Sequence, residues 1–257
     1  MKKSKRVVAA AAVAVLIFSG AAMWAAQEGE AKAKKPAKSK EAARPAPDPS
    51  VPVPKPGDSA DAFLKRHESF VKRAKEGDIG LLFLGDSITQ GWGGSGREVW
   101  KKYYEPLKAA NFGIGGDQTQ HVLWRITNGE LDGISPKVVV LMIGTNNTGG
   151  NTAESIAKAD AKIVRTIREE CPKSKVLLLA IFPRSSAASM EKIKKINAEL
   201  AKLDDGKTVR YLDIGGKFLG PDGTIPKDIM PDGLHPNAKG YQIWADAMQP
   251  LLEEMMK

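Results

Sequence analysis

Cysteine is almost missing from this chain of 257 residues: Cys171 stands alone, which excludes an intrachain disulfide. Histidine is nearly as scarce. His67, His121 and His235 lie far apart, with no His/Cys cluster at zinc spacing, so no structural metal is expected. No segment repeats, and only one apolar run is long. Hydrophobic residues at 42% and charged residues at 27% exclude a wholly disordered chain, a collagen and a polytopic membrane protein. The net charge of +9 is not spread over the chain. Residues 1–57 hold eleven Lys and Arg against four Asp and Glu, and the remaining 28 basic and 26 acidic residues leave only +2. The basicity therefore belongs to a tail, and no nucleic-acid partner is expected.

The tail opens with Lys2, Lys3, Lys5 and Arg6, followed by the apolar run Val7–Phe18 and the small residues Ser19 to Ala22. This is the layout of a secretory signal. The uncharged stretch Val7–Ala26 also has the length of a membrane anchor. Residues 1–26 are thus expected to be a signal peptide or signal anchor. The domain is expected to be exported, periplasmic or extracellular, and held at a membrane if the segment stays on. No cysteine follows the run, which excludes a lipid-modified N-terminal cysteine. Residues 27–57 are rich in Lys, Ala and Pro without apolar periodicity, and read as an extended linker.

From residue 58 the pattern alternates. A helix is expected over Asp61–Lys75. Apolar runs at Ile79–Leu84, Val138–Ile143 and Val176–Ile181 suit strands buried on both faces, with shorter strands at Ala110–Phe112 and Val209–Leu212. Helices are expected at about 97–105, about 119–128, 153–170, 189–203 and 237–255. Strand–helix alternation implies a five-stranded parallel sheet covered on both faces. In that architecture the loops at the carboxyl ends of the strands carry the chemistry.

Those loops hold Gly85-Asp86-Ser87, Gly113 to Asp117, Gly144-Thr145-Asn146-Asn147 and Asp232-Gly233-Leu234-His235-Pro236. Each is also a plausible cap or turn. Together they fit a nucleophilic machine. A serine hydroxyl needs an adjacent base, and a histidine serves if a carboxylate holds its tautomer. Asp232, three residues before His235, falls on the same side of a helical or tight turn. Acyl transfer also needs donors at the developing oxyanion. The Ser87 N–H, a glycine N–H from the second loop and the Asn146 amide are candidates.

The stretches LFLGDSITQ, NFGIGGDQTQHVLWRITNGEL, PKVVVLMIGTNN and DGLHP resemble the SGNH (GDSL-type) hydrolases, most closely the platelet-activating-factor acetylhydrolase Ib catalytic-subunit type, over most of residues 79–250. The resemblance implies a three-layer α/β/α flavodoxin-like domain over residues 58–257 and ester hydrolysis without metal or cofactor. It implies Ser87 as nucleophile, His235 as base and then acid, Asp232 as its partner, and Ser87 N–H, Gly116 N–H and the Asn146 side chain as the oxyanion hole. Ile88 and Leu234 flank these residues and are expected to narrow the acyl pocket. Arg184, after the fourth strand, reaches substrate or pairs with a surface acid.

The expected activity is a short-chain, acetyl-type esterase acting through an acyl-enzyme. Export favours a glycan ester as substrate. Two alternatives are a lysophospholipase or thioesterase-like enzyme for longer chains, and a carbohydrate-binding module without catalysis. A degenerate copy is expected to lose a polar loop residue, and none is lost here. Gly91-Trp92-Gly93-Gly94-Ser95-Gly96 matches a dinucleotide fingerprint as a string but does not directly follow a strand, and reads as a flexible loop beside the site. His67 reads as a helix-surface residue; His121, Trp124 and Arg125 read as packing.

Overall fold

Strands form where the chain offers short apolar runs. The computed structural model describes residues 46–257, so the expected signal or anchor and residues 27–45 of the linker lie outside the described residues. The strands are β1 (Leu81–Gly85), β2 (Ala109–Gly113), β3 (Val138–Met142), β4 (Lys175–Leu179) and β5 (Val209–Leu212). All pair in parallel in the order β2-β1-β3-β4-β5. Every residue of β1 and β3 is buried. A strand covered on both faces has no polar side to show, which is why these runs are continuous rather than alternating.

Helices cover both faces. They are α1 (Ala60–Lys75), α2 (Ser87–Gln90), α3 (Arg97–Tyr103), α4 (Thr119–Arg125), α5 (Ala153–Glu170), α6 (Ala187–Leu200) and α7 (Ala238–Met256). Successive side chains of a strand point to opposite faces. Leu82, Leu84, Val139, Leu141, Val176 and Leu178 accordingly pack with residues of α1, α4, α5 and α6. Leu81, Phe83, Val138, Val140, Leu177 and Leu179 pack with α3 and α7. The three-layer α/β/α, flavodoxin-like arrangement is the one expected. Local chemistry sets the helix starts: Thr152, Ser186 and Asn237 accept the N–H of Ser155, Ser189 and Gly240.

Three expectations need correction. The helix expected to reach residue 128 ends at Arg125. A wide turn over Ile126–Glu130, with Gly129 at φ 101°, follows it and leads Glu130 back to Arg125. The Gly91–Gly96 loop is not a loose one: Trp92 is fully buried, and a Cβ at Gly96 would lie 2.7 Å from its ring. The folded unit also begins before residue 58. Prolines leave carbonyls unmatched by N–H groups, and here the domain supplies the donors. Asn151 Nδ2 donates to Pro47 O (2.9 Å), Thr119 Oγ1 to Pro49 O (2.9 Å) and Lys162 Nζ to Ser50 O (3.0 Å). Residues 47–55 are therefore a docked strap, not a solvated spacer.

Strand order places the switch point at β1. The chain leaves β1 for β2 on one side and returns to β3 on the other, opening a crevice at the carboxyl ends.

One buried group works against stability. Asp160 on α5 is 1% exposed, and among the described residues neither oxygen has a hydrogen-bond partner. Burial pushes its carboxyl well above the usual range. A raised folded-state value means that the unfolded chain ionises first, so stability is lost as pH rises above the unfolded carboxyl's range. Asp160→Leu is expected to raise the thermal midpoint, by more at pH 8 than at pH 4; an equal gain at both would show that the carboxyl is not ionising against burial.

Candidate active site

Asp86 directly follows β1 and caps α2, its Oδ1 accepting the Ile88 N–H at 2.9 Å. That cap puts Ser87 at the first position of the helix, half-buried at the crevice. Its Oγ lies 2.8 Å from His235 Nε2, although 148 residues separate them. His235 Nδ1–H donates to Asp232 Oδ2 at 2.6 Å. With Nδ1 donating, Nε2 of a neutral ring is an acceptor for the serine proton. Asp232 is fixed by its own turn: its Oδ1 accepts the N–H of Leu234 (3.0 Å) and His235 (2.8 Å). Partial burial pushes its carboxyl up, but these N–H groups and the imidazole outweigh that and hold it at about 2. Gly233 makes the turn possible. It sits at φ 70°, and a Cβ there would lie 2.6 Å from Ser185. The capping role open to Asp232 falls instead to Asn237.

The second loop turns beside Ser87. A Cβ at Gly115 would lie 3.8 Å from Ser87 Cβ, and Gly116 follows at φ 73°. Among the described residues, no acceptor takes the N–H of Ser87 or Gly116. Asn146, after β3, donates its amide to Asp117 O at 2.8 Å and, over a longer 3.4 Å, to Asp86 Oδ2. Gln118 Nε2 donates to Asn146 O at 3.0 Å. Burial drives the Asp86 carboxyl up to about 7 despite its Ile88 hydrogen bond, and the nearby Asp117 adds to the rise.

Of the two flanking residues, Ile88 departs from expectation. Ile88 is 1% exposed and belongs to the buried cluster under α7, so it presents no surface to an acyl group. Leu234 is half-buried against the same cluster. Among the described residues Arg184 pairs with no acid: its Nη1 donates to Thr145 O at 2.9 Å, bracing the loop that carries Asn146. Arg184 and Ser185 also border a cleft of about 430 Å³ next to the 232–235 turn, with Met190, Leu219 and Ile225 among its walls.

Behind the glycine turn lies a buried ionic cluster. Arg125 Nε donates to Asp117 Oδ2 (2.9 Å), its Nη1 donates to Glu130 Oε2, and its Nη2 donates to Phe112 O (3.0 Å). His67 is buried, not on the surface as expected, and its Nδ1 meets Glu130 Oε1 at 3.0 Å. His121 is buried too. Desolvation lowers its ring to about 4 against the pull of Asp117, leaving it neutral. Lys55 of the strap completes the cluster, 2.9 Å from Asp117 Oδ1. Sequence reasoning missed this cluster. Its one local trace is the charge at Asp117, Arg125 and Glu130 within segments otherwise read as turn and helix.

A parallel α/β/α sheet with a hydrogen-bonded Ser–His–Asp chain at its switch point has the form of a serine hydrolase. Residues 83–243 match the GDSL-like Lipase/Acylhydrolase family. The chain is 40% identical over 200 residues to platelet-activating factor acetylhydrolase IB subunit alpha2 of Gallus gallus, covering 77% of this chain and 85% of that one. It shares its fold with a GDSL-like lipase from Bacteroides thetaiotaomicron (TM-score 0.62, 19% identity, 75% of this chain and 98% of that one). It likewise shares it with Est24, a carbohydrate acetylesterase from Sinorhizobium meliloti (TM-score 0.55, 19% identity, 69% and 100%). The protein belongs to the GDSL-like lipase/acylhydrolase family and is a hydrolase.

Removing the arginine at the centre of the cluster leaves Asp117 and Glu130 buried without it. Arg125→Met is expected to cost about 3–5 kcal/mol of unfolding free energy. Chemical denaturation checks this; a midpoint unchanged at constant m-value would show that the cluster adds nothing.

Proposed function

We propose that the protein is an exported serine esterase that removes acetyl groups from carbohydrate through an acyl-enzyme on Ser87. The observation that carries this reading is the unbroken chain from Ser87 Oγ to His235 Nε2 (2.8 Å) and from His235 Nδ1 to Asp232 Oδ2 (2.6 Å). Ser87 Oγ attacks the ester carbonyl as His235 takes its proton. The N–H groups of Ser87 and Gly116 hold the oxyanion, joined by the second amide hydrogen of Asn146 as its long 3.4 Å hydrogen bond to Asp86 gives way to substrate. His235 then protonates the departing alcohol. Water, activated by the same imidazole, releases acetate.

The name of the relative at 40% identity supports acetyl as the acyl group. Accessibility supports a carbohydrate-borne ester over a lipid. The His235 and Asp232 side chains are 42% and 55% exposed. Among the described residues, the exposed large apolar side chains are Val51 on the strap and Leu64 on α1; the apolar residues nearer the site, Leu234 and the cleft walls Met190, Leu219 and Ile225, are half-buried and offer no broad exposed face to a lipid surface. Sharing its fold with a carbohydrate acetylesterase is consistent with this choice, and the N-terminal segment supports export.

An organophosphonate is expected to add once, on Ser87, by mass spectrometry of the intact protein. Ser87→Ala and His235→Ala are each expected to remove nearly all turnover, and the double variant to be little worse. Asn146→Ala is expected to lower kcat by about 10²–10³-fold with the fold intact. Full activity in Ser87→Ala would overturn the mechanism. Acetylated xylo- and manno-oligosaccharides are then compared with a 2-acetyl phospholipid, and faster turnover of the lipid would overturn the substrate class. In a p-nitrophenyl ester series, acetyl is expected to outrun octanoyl; equal rates would sink the acyl assignment.

A further inference from the structure

Lys55 lies outside every strand and helix of the domain, on the docked strap, yet its ammonium ends beside the reacting centre. Its Nζ donates to Gly115 O at 2.7 Å and sits 2.9 Å from Asp117 Oδ1. The Gly115 carbonyl and the Gly116 N–H are the two ends of one planar peptide unit, pointing in opposite directions. We infer that Lys55 is a positioning residue for the oxyanion hole, orienting and polarising the peptide whose N–H meets the substrate oxygen. This rests on the assignment of the Gly116 N–H made above.

Two physical effects act together. The first is orientation. Gly116, at φ 73°, has no side chain to restrain its peptide, and Lys55 is the one group among the described residues that bonds the Gly115 carbonyl. The preceding peptide is already held, because Gly115 N–H donates to Gln90 Oε1 at 2.6 Å. A cation on the carbonyl also draws charge through the amide, making its N–H a stronger donor.

The second effect is charge. Asp117 and Glu130 are fully buried, and Arg125 supplies only one positive charge between them. The Lys55 side chain, 11% exposed, supplies the other. Without it Asp117 Oδ1 loses the cation that meets it, directly behind the site where the oxyanion develops. The strap delivers this cation through the anchors at Pro47, Pro49 and Ser50 and through Val53 N–H, which donates to Gln120 O at 3.3 Å. The activity of the domain thereby depends on a segment that composition assigns to a spacer.

The test uses the full chain with p-nitrophenyl acetate. Lys55→Met is expected to lower kcat about 10- to 100-fold, less than losing a donor outright. KM is expected to stay nearly unchanged; the thermal midpoint is expected to fall because Asp117 Oδ1 loses its cation, so kcat is compared at a temperature where circular dichroism shows both proteins folded. A boronic acid that forms a tetrahedral adduct with Ser87 is expected to bind more weakly by the same factor. Lys55→Cys, treated with 2-bromoethylamine to restore an ammonium at that length, is expected to regain most of the lost activity, with wild type treated alongside because Cys171 is buried. Unchanged kcat in Lys55→Met, or no recovery of folded Lys55→Cys on aminoethylation, would overturn the inference. Ser87→Ala separates the two claims. If it is dead while Lys55→Met is fully active, only the role of Lys55 falls; if it stays active, the esterase reading falls first.

Discussion

The Asp117 carboxylate has no exposed surface, and a charge taken out of water must be met by opposite charge or hydrogen bonds. Arg125 meets one oxygen and Lys55 the other. Through Arg125 the demand spreads to Glu130, and through Glu130 to His67 on α1. The backbone carbonyl of Asp117 accepts the Asn146 amide. One residue thus ties the strap, the turn after β2, the wide turn after α4 and the loop after β3 to a common point. The site's donors are held in place because the alternative is an uncompensated charge in the core.

On the opposite side of Ser87 the logic is local. Asp232 binds the N–H groups of Leu234 and His235 with one oxygen and the imidazole with the other. Gly233 takes the left-handed conformation that lets the turn close against Ser185. This half of the site lies at the surface and is held by short-range hydrogen bonds. The half around Asp117 lies behind the glycine turn and is held by buried ions. Ser87 stands where they meet, at the end of β1, between strands that the chain reaches in opposite directions.

Much of this was legible in the residues. Runs such as Val138–Ile143 read as strands because a sheet covered on both sides leaves no polar periodicity to blur them. Asp232 and His235 read as a pair because three residues of a tight turn bring them together. The strap was misread because its partners, Asn151, Thr119 and Lys162, lie far along the chain, while proline content speaks only of local stiffness. His67 was misread because one polar residue on a helix says nothing about a glutamate waiting 63 residues away. Ile88 looked like a pocket residue because adjacency to Ser87 in sequence does not tell which way a helix turns its side chains.

By itself the chain's order of residues determined the strands, most helix starts, the turn at Asp232 and the chemical types available at each strand end. These depend on interactions within a few residues, where backbone geometry leaves few choices. Only the tertiary structure decided which groups meet: the serine with an imidazole 148 positions on, the strap with the turn after β2, and the buried cations with Asp117. Such contacts are settled by packing and by charges excluded from water, and both act through space without regard to distance along the chain.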